Sequence, residues 1–79
     1  MGARHDFAAF GRALRQARRE RDLSQDALAL RAGIGAKHLS ELERGNKSPR
    51  FATFVDLAAA LGLTGAELMV LYERQMEAD

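Results

Sequence analysis

The chain has 79 residues, of which 47% are hydrophobic and 29% are charged. A chain of this length supports one small core, and this composition is that of a folded domain rather than a disordered tail. The absence of cysteine excludes a disulfide scaffold, a cysteine-bound zinc ion and a thiol nucleophile. No apolar run approaches the roughly 18 residues of a membrane span, and residues 1–10 lack the pattern of a signal peptide, so we expect a cytoplasmic protein with no membrane partner.

Charge is unevenly distributed along the chain, although the net charge is only +1. Residues 1–50 contain 11 of the 12 lysines and arginines and 6 acidic residues, a net charge of +5. Residues 51–79 contain 1 basic and 5 acidic residues, a net charge of −4. A basic first half favours a polyanionic partner, and an acidic second half favours a role away from it. By composition alone, solvated helix faces explain the arginines equally well.

The first predicted element is an amphipathic helix. Alanine and leucine dominate the chain and β-branched residues are few, so an all-α fold is predicted throughout. Asp6 is a candidate N-cap for a helix that extends to about Arg21. Its apolar side chains recur at helical spacing and form one stripe: Phe7, Phe10, Leu14 and Ala17.

The next two helices are predicted to form a closely connected pair. Ser24 is an N-cap residue for a helix over residues 25–32, which Gly33 ends. A turn of about three residues leads to a third helix over residues 36–44. Two short helices joined by a tight glycine-containing turn are typical of the helix-turn-helix arrangement, whose second helix lies in the major groove of DNA.

The outward face of the third helix is polar. With Leu39 and Leu42 facing inward, the opposite stripe contains four side chains that can each engage a base edge or a phosphate: Lys37, Ser40, Glu41 and Arg44. A solvated helix surface has the same pattern, so the stripe alone leaves both interpretations open.

Two further helices complete the predicted fold. Ser48 and Pro49 are the expected N-cap and first residue of a fourth helix that Gly62 ends. The residues that this helix is expected to bury are Phe51, Phe54, Val55, Ala58 and Leu61. Thr64 and Glu67 form a capping box for a fifth helix from residue 65 to about 77.

The fifth helix has more apolar side chains than one small core can cover. Those left over indicate a subunit interface. The residues that we expect there are Leu68, Met69, Val70, Tyr72 and Met76.

Four short segments together resemble one known family. They are LSQDALA at residues 23–29, AGI at 32–34, LSELERG at 39–45, and Pro49 followed by LAAALGL at 57–63. In this order and spacing they resemble the lambdoid phage repressor and Cro type of helix-turn-helix protein, the Xre family, over roughly residues 10–72. The resemblance implies a compact five-helix, sequence-specific DNA-binding domain that usually acts as a homodimer. Residues 1–79 are then one domain, with the helix-turn-helix at about 24–45 and the dimerisation helix at about 65–77.

The resemblance also implies roles for individual residues. The matching base-reading positions are Ala36, Lys37, Ser40 and Glu41. The residues that match phosphate-contacting positions of the family are Gln25, Arg44, Asn46, Lys47 and Arg50. Arg18 and Glu43 match an ion pair that ties the first helix to the end of the third, and Asp26 matches an acid that contacts RNA polymerase in some members. Ala36 departs from the common glutamine, and its methyl group can contact only a thymine methyl.

The other function classes have less support from the sequence. His5 and His38 have no second ligand one helical turn away, so we expect no enzyme, no metal site and no cofactor. No segment remains for a ligand-sensing domain, so regulation is expected through dimerisation rather than a small-molecule ligand. A chain of this size resembles restriction–modification controller proteins. A Cro-like phage repressor, an antitoxin, and a helical protein-interaction adaptor that does not bind DNA remain alternatives.

Overall fold

Five α-helices account for most of the chain. The computed structural model describes residues 7–78. In chain order the helices are α1 (Phe7–Glu20), α2 (Gln25–Ala32), α3 (Ala36–Glu43), α4 (Phe51–Ala60) and α5 (Gly65–Ala78). The predicted all-α, five-helix fold is confirmed, and residues 7–78 contain no strand. The candidate N-cap Asp6 lies outside the described residues.

One apolar core joins the five helices. Its largest fully buried side chains are Phe10, Leu14, Leu28, Leu39, Leu42, Leu57 and Leu68. Helix α3 packs on α1 and α2, whereas α4 packs on α2 and α5 packs along α1. Helices α1 and α2 therefore lie between α3 on one side of the domain and the α4–α5 surface on the other.

The predicted N-terminal caps of α2 and α5 are confirmed. The Ala27 N–H donates to Ser24 Oγ at 3.0 Å. The Glu67 N–H donates to Thr64 Oγ1 at 3.1 Å, and the Thr64 N–H donates to Glu67 Oε1 at 2.8 Å. These bonds satisfy N–H groups that have no partner inside the helix, so they fix where α2 and α5 begin.

The start of α4 differs from the prediction. Ser48 and Pro49 do not begin the helix, which starts at Phe51 with Arg50 as an N-cap in extended conformation and without a side-chain cap. Pro49 instead lines a cavity together with aromatic side chains from the start of α1, from α4 and from α5, and Arg50 after it is extended. Tertiary packing thus overrides the local preference of proline for the first helical turn.

Two side chains predicted to be buried in α4 face outward. Phe51 is 85% exposed and Val55 is 43% exposed, whereas Ala58 and Leu61 are buried as predicted and Phe54 is half-buried. The prediction for Leu68 also needs correction, because this side chain is fully buried in the core of its own subunit and is not free to contact a partner.

Among the described helices, none is by itself long and apolar enough to cross a membrane. Helices α4 and α5 meet that criterion only when taken together, by length and composition, and they form a pair bent by 99°.

The C-terminal ends of α1 and α2 share one backbone geometry. After α2, Gly33 has a φ of 73° and the Ile34 N–H donates to the Ala29 carbonyl at 3.0 Å. After α1, Asp22 has a φ of 53° and the Leu23 N–H donates to the Arg18 carbonyl at 3.1 Å. Within residues 7–78, Asp22 is the only residue other than glycine with a positive φ. Its carboxylate also lies at the negative end of the α1 dipole, which is unfavourable.

Replacing Asp22 by glycine should therefore stabilise the protein. We expect Asp22→Gly to raise the free energy of unfolding by about 0.5–1 kcal/mol, because it removes both the side-chain strain and the unfavourable charge. Urea denaturation at neutral pH measures this change. Gly33→Ala is the converse control and should lower the free energy of unfolding by about 1–2 kcal/mol. An Asp22→Gly variant less stable than the original chain would contradict the strain argument.

Candidate nucleic-acid interface

Helix α3 presents a polar face opposite its two buried leucines. Gly35 precedes the helix in extended conformation, and the turn from Gly33 to Gly35 joins it to α2. The predicted base-reading residues all lie on the outward side: Ala36 and Lys37 are exposed, and Ser40 and Glu41 are half-buried. Arg44 follows as the C-cap on the same side and is exposed. The helix-turn-helix thus brings the predicted base-reading side chains together.

The loop after α3 adds cations beside this face. Asn46, Lys47 and Arg50 are exposed. The Lys47 Nζ lies 3.4 Å from Glu41 Oε1, so a residue predicted to contact phosphate pairs with one predicted to read bases. This pairing reduces the repulsion that the Glu41 carboxylate exerts on an approaching phosphate. The spacing of six residues gave no signal for the contact, because it forms only when the loop folds back on α3.

A buried ion pair fixes α3 relative to α1. Glu43 is 3% exposed and receives two hydrogen bonds from one guanidinium: Arg18 Nε lies 2.6 Å from Oε2, and Arg18 Nη2 lies 3.0 Å from Oε1. The predicted partners are therefore in direct contact. Such bidentate, charge-assisted hydrogen bonds are among the strongest in proteins.

Two other side chains complete the ion-pair network. The Gln25 side-chain amide at the start of α2 donates to Glu43 Oε1 at 3.0 Å. Arg15 contributes a second positive charge, with its Nε 3.7 Å from the same oxygen. Arg18 also donates to the Leu23 carbonyl at 2.9 Å. Helices α1, α2 and α3 are thus joined through one carboxylate.

These contacts keep Glu43 ionised despite its burial. Burial raises the pKa of the carboxyl, but hydrogen bonds from Arg18 and Gln25, with the charges of Arg18 and Arg15, hold the pKa below its ordinary value. The hydrogen bond to Glu43 in turn raises the pKa of the Arg18 guanidinium, although burial opposes this change. Both groups are therefore charged at neutral pH.

A close approach of two backbones sets the spacing between α1 and α3. Gly11 is buried, and a Cβ at this position would overlap the Glu43 carbonyl oxygen and lie 2.8 Å from the Leu42 carbonyl oxygen. No larger residue fits here unless α1 moves away from the end of α3. This role of Gly11 was not predicted from the sequence, although an unexplained glycine inside an amphipathic helix is a signal for it.

The remaining predicted site residues lie away from α3. Asp26 is exposed in the first turn of α2. On α5, Met69 and Val70 are 40% and 43% exposed, whereas Tyr72 and Met76 are half-buried. Within residues 7–78, no group of three or more histidine, aspartate or glutamate side chains is placed to hold a metal ion.

Removing the Glu43 carboxylate should destabilise the fold. We expect Glu43→Ala to lower the free energy of unfolding by about 3–5 kcal/mol, because it leaves the Arg18 guanidinium mostly buried without its partner. Urea denaturation of Arg18→Ala, Glu43→Ala and the double variant measures the coupling between the two side chains. Losses that simply add in the double variant would show that the pair contributes nothing as a pair.

The lowered pKa of Glu43 predicts a loss of stability in acid. Because its folded-state pKa lies below the unfolded value of about 4.3, ionised Glu43 stabilises the fold fully above that value. This contribution is lost as the pH falls through the folded-state pKa. Between neutral pH and pH 2, the unfolding free energy of the original chain should therefore fall more steeply than that of Glu43→Gln. Parallel pH profiles would contradict the assignment.

Comparison with known proteins places these features in context. A family model described as a helix-turn-helix domain matches residues 9–71. The uncharacterized HTH-type transcriptional regulator y4dJ of Sinorhizobium fredii is 42% identical over 52 residues, which are 66% of this chain and 68% of that protein. The curated relatives differ in length, and the match spans 26% of one and 86% of another.

Two solved structures are similar over most of the chain. The restriction-modification controller protein C.AhdI from Aeromonas hydrophila has a TM-score of 0.78 at 33% identity, over 80% of this chain and 96% of that one. The clp gene regulator ClgR from C. glutamicum has a TM-score of 0.84 at 28% identity, over 94% of this chain and 96% of that one. Both are regulatory proteins, as their names state, and neither name describes an enzyme.

Proposed function

The chain belongs to the helix-turn-helix family of DNA-binding transcription regulators, and from this premise we propose that it binds a short two-fold symmetric operator as a homodimer. The observation that carries the proposal is the outward face of α3, which is held in a fixed orientation by the buried ion pair at its end. A helix whose inner face is packed in a core holds its polar outer face in a fixed orientation. Such a helix can insert into the major groove and contact base edges.

The interface residues make two kinds of contact with DNA, to bases and to phosphates. Ala36, Lys37, Ser40 and Glu41 read bases, because they lie on the outward face of α3. The residues around it contact phosphates and set the register: Gln25, Arg44, Asn46, Lys47 and Arg50. The Gln25 side-chain amide donates one N–H to Glu43 in the free protein, and its second N–H is left for a phosphate at the start of α2.

Dimerisation follows from the size of an operator. Two recognition helices in successive major-groove faces lie about 34 Å apart, with half-sites about ten base pairs apart. One domain of 38 × 21 × 20 Å offers a single α3 and cannot read both half-sites. We place the subunit contact on the α4–α5 side of the domain, where Met69 and Val70 are exposed and Tyr72 and Met76 are half-buried.

Within the family we favour the class of restriction–modification controllers. The similarity to C.AhdI, which covers 96% of that protein, supports this choice. As part of the same proposal, the protein acts on DNA in the cytoplasm, and the exposed Asp26 of α2 contacts RNA polymerase. Control is through protein concentration, without a small-molecule ligand.

Selection of DNA fragments tests the proposal. Purified protein is mixed with sheared genomic DNA at moderate salt, and the retained fragments are sequenced. We expect enrichment of one two-fold symmetric motif with half-sites about ten base pairs apart. If the protein retards neither these fragments nor random DNA at low salt, it is a protein-interaction adaptor and the proposal is wrong. Genes for a phage repressor circuit or a toxin beside the enriched site would change the class of regulator.

Two lysines should affect DNA binding differently. Lys37→Ala should cost about 1–3 kcal/mol at the operator and relax the preference at one or two base pairs, because Lys37 lies on the base-reading face. Lys47→Ala should weaken binding to all sequences about equally and reduce the salt slope by roughly one unit. Titrations of operator and scrambled DNA at several salt concentrations measure both effects.

Arg74→Ala is the matched control for these titrations, since this exposed cation lies on α5 away from α3. It should leave both affinity and salt slope unchanged. The two assignments would be reversed if Lys47→Ala changed the base preference while Lys37→Ala did not.

A further inference from the structure

All five aromatic residues of the chain line one cavity. The cavity has a volume of about 330 Å³ and lies between the start of α1, the loop before α4, and helices α4 and α5. Its aromatic residues are Phe7, Phe10, Phe51, Phe54 and Tyr72. The Phe10 ring lies 5.7 Å from the ring of Phe54 in a tilted arrangement and 5.7 Å from that of Tyr72 edge to face. Aromatic rings favour such offset and edge-to-face arrangements, so a further ring entering the cavity would find matching partners.

The surface around this cavity is apolar and uncovered. Phe51 is 85% exposed, although it is among the largest apolar side chains in the chain, and Val55, Met69 and Val70 are each at least 40% exposed. These four residues all belong to α4 and α5. Phe51 and Met69 line the cavity, and the two helices pack on each other, so the exposed apolar side chains are concentrated on one pair of neighbouring helices, which is typical of an interaction surface.

We propose that a second copy of this chain covers this surface, with Phe51 of each subunit seated in the aromatic cavity of the other. The inference rests on the homodimer proposed above and identifies its central contact. A projecting side chain beside a cavity suits a two-fold contact, because the same surface then supplies both the inserted ring and the site that receives it. Aromatic anchors that fill pockets are the usual energetic centre of protein interfaces.

The extent of the patch favours a protein over a small ligand. A ligand within the cavity would contact only its lining, which includes Phe51 and Met69 but neither Val55 nor Val70. A second subunit covers all four side chains at once.

The position of the patch meets the geometric demand of a two-fold operator. Each α3 must lie about 17 Å from the two-fold axis if the two helices are about 34 Å apart. Helices α1 and α2 separate α3 from the α4–α5 surface, and the shorter dimensions of the domain are 21 and 20 Å. Contact through α4 and α5 therefore keeps each α3 away from the two-fold axis, as the operator proposal requires.

A tryptophan at position 51 tests the inference directly, because the chain contains no tryptophan. In Phe51→Trp we expect indole fluorescence at short wavelength at high protein concentration and a shift to long wavelength on dilution, as the ring leaves the partner and enters water. Leu30→Trp is the control, since Leu30 is 83% exposed on α2, away from the patch. Its emission should remain at long wavelength at every concentration. Long-wavelength emission from Phe51→Trp in a dimeric sample would overturn the inference.

Sedimentation equilibrium of alanine variants without DNA provides an independent measurement. Phe51→Ala should weaken dimerisation at least about a hundredfold, because the anchor contact occurs twice in each dimer. Leu30→Ala, which removes an equally exposed side chain, should leave the dimer unchanged. At protein concentrations where the original chain is monomeric, both variants should unfold at the same urea concentration as it does, since neither side chain is buried in the subunit.

The two proposals fail in different ways. If Phe51→Ala remains dimeric and binds the operator with full affinity, the subunit contact lies elsewhere but the operator proposal stands. If the original chain is monomeric both free and on operator DNA, the homodimer itself is wrong and this contact with it. Short-wavelength emission from Phe51→Trp that persists in a sample shown by sedimentation to be monomeric would mean that the ring turns into the cavity of its own subunit, which also overturns the inference.

Discussion

The buried carboxylate of Glu43 determines how α1, α2 and α3 are arranged relative to one another. A charge that is 3% exposed is stable only with close polar partners: Arg18 of α1 supplies the opposite charge, and Gln25 of α2 donates a further hydrogen bond. Helix α3 has only 8 residues, and an isolated helix of that length is not stable in water. Its conformation and direction therefore come from its neighbours, through this carboxylate and through its buried leucines.

The helix that supplies Arg18 also reaches the opposite surface of the domain. Phe10 and Arg18 are eight residues apart on α1, a distance of about 12 Å along the helix. Phe10 packs against the rings of Phe54 and Tyr72, whereas Arg18 binds the end of α3. Between them, Gly11 brings the α1 backbone against the Leu42 and Glu43 carbonyls. One helix thus relates the position of α3 to that of the α4–α5 surface.

Local sequence signals were sufficient where a helix end depends on its own residues. The Ser24 cap and the box of Thr64 and Glu67 follow from side chains that bond to N–H groups three residues away, and the structure confirms them. The start of α4 was predicted wrongly, because Pro49 packs on distant aromatic side chains that no local rule includes.

Burial was harder to predict than helix position. Helical spacing places Phe51 and Val55 on an apolar face of α4. The same spacing occurs whether that face is buried in the core of its own subunit or exposed on the surface, so it does not predict burial. Leu68 shows the reverse error, since it was assigned to an interface and lies in the core. The Glu41 contact with Lys47 depends on a loop conformation, and the fit of Gly11 against α3 depends on how two helices meet, so neither could be derived from spacing.

The structure shows that several basic residues in the first half of the chain contribute to the fold itself. Arg18 is held by Glu43, and Arg21 donates to the Leu61 carbonyl at 2.6 Å and to the Ala17 carbonyl at 2.9 Å. Arg12 donates to the Gln75 side chain at 3.2 Å. Several arginines of the first half therefore join elements of the fold, and the cations beside α3 are few: Lys37, Arg44, Lys47 and Arg50. The cations beside α3 are thus distinct from the arginines that join elements of the fold, and the buried carboxylate at the end of α3 fixes the helix that these cations flank.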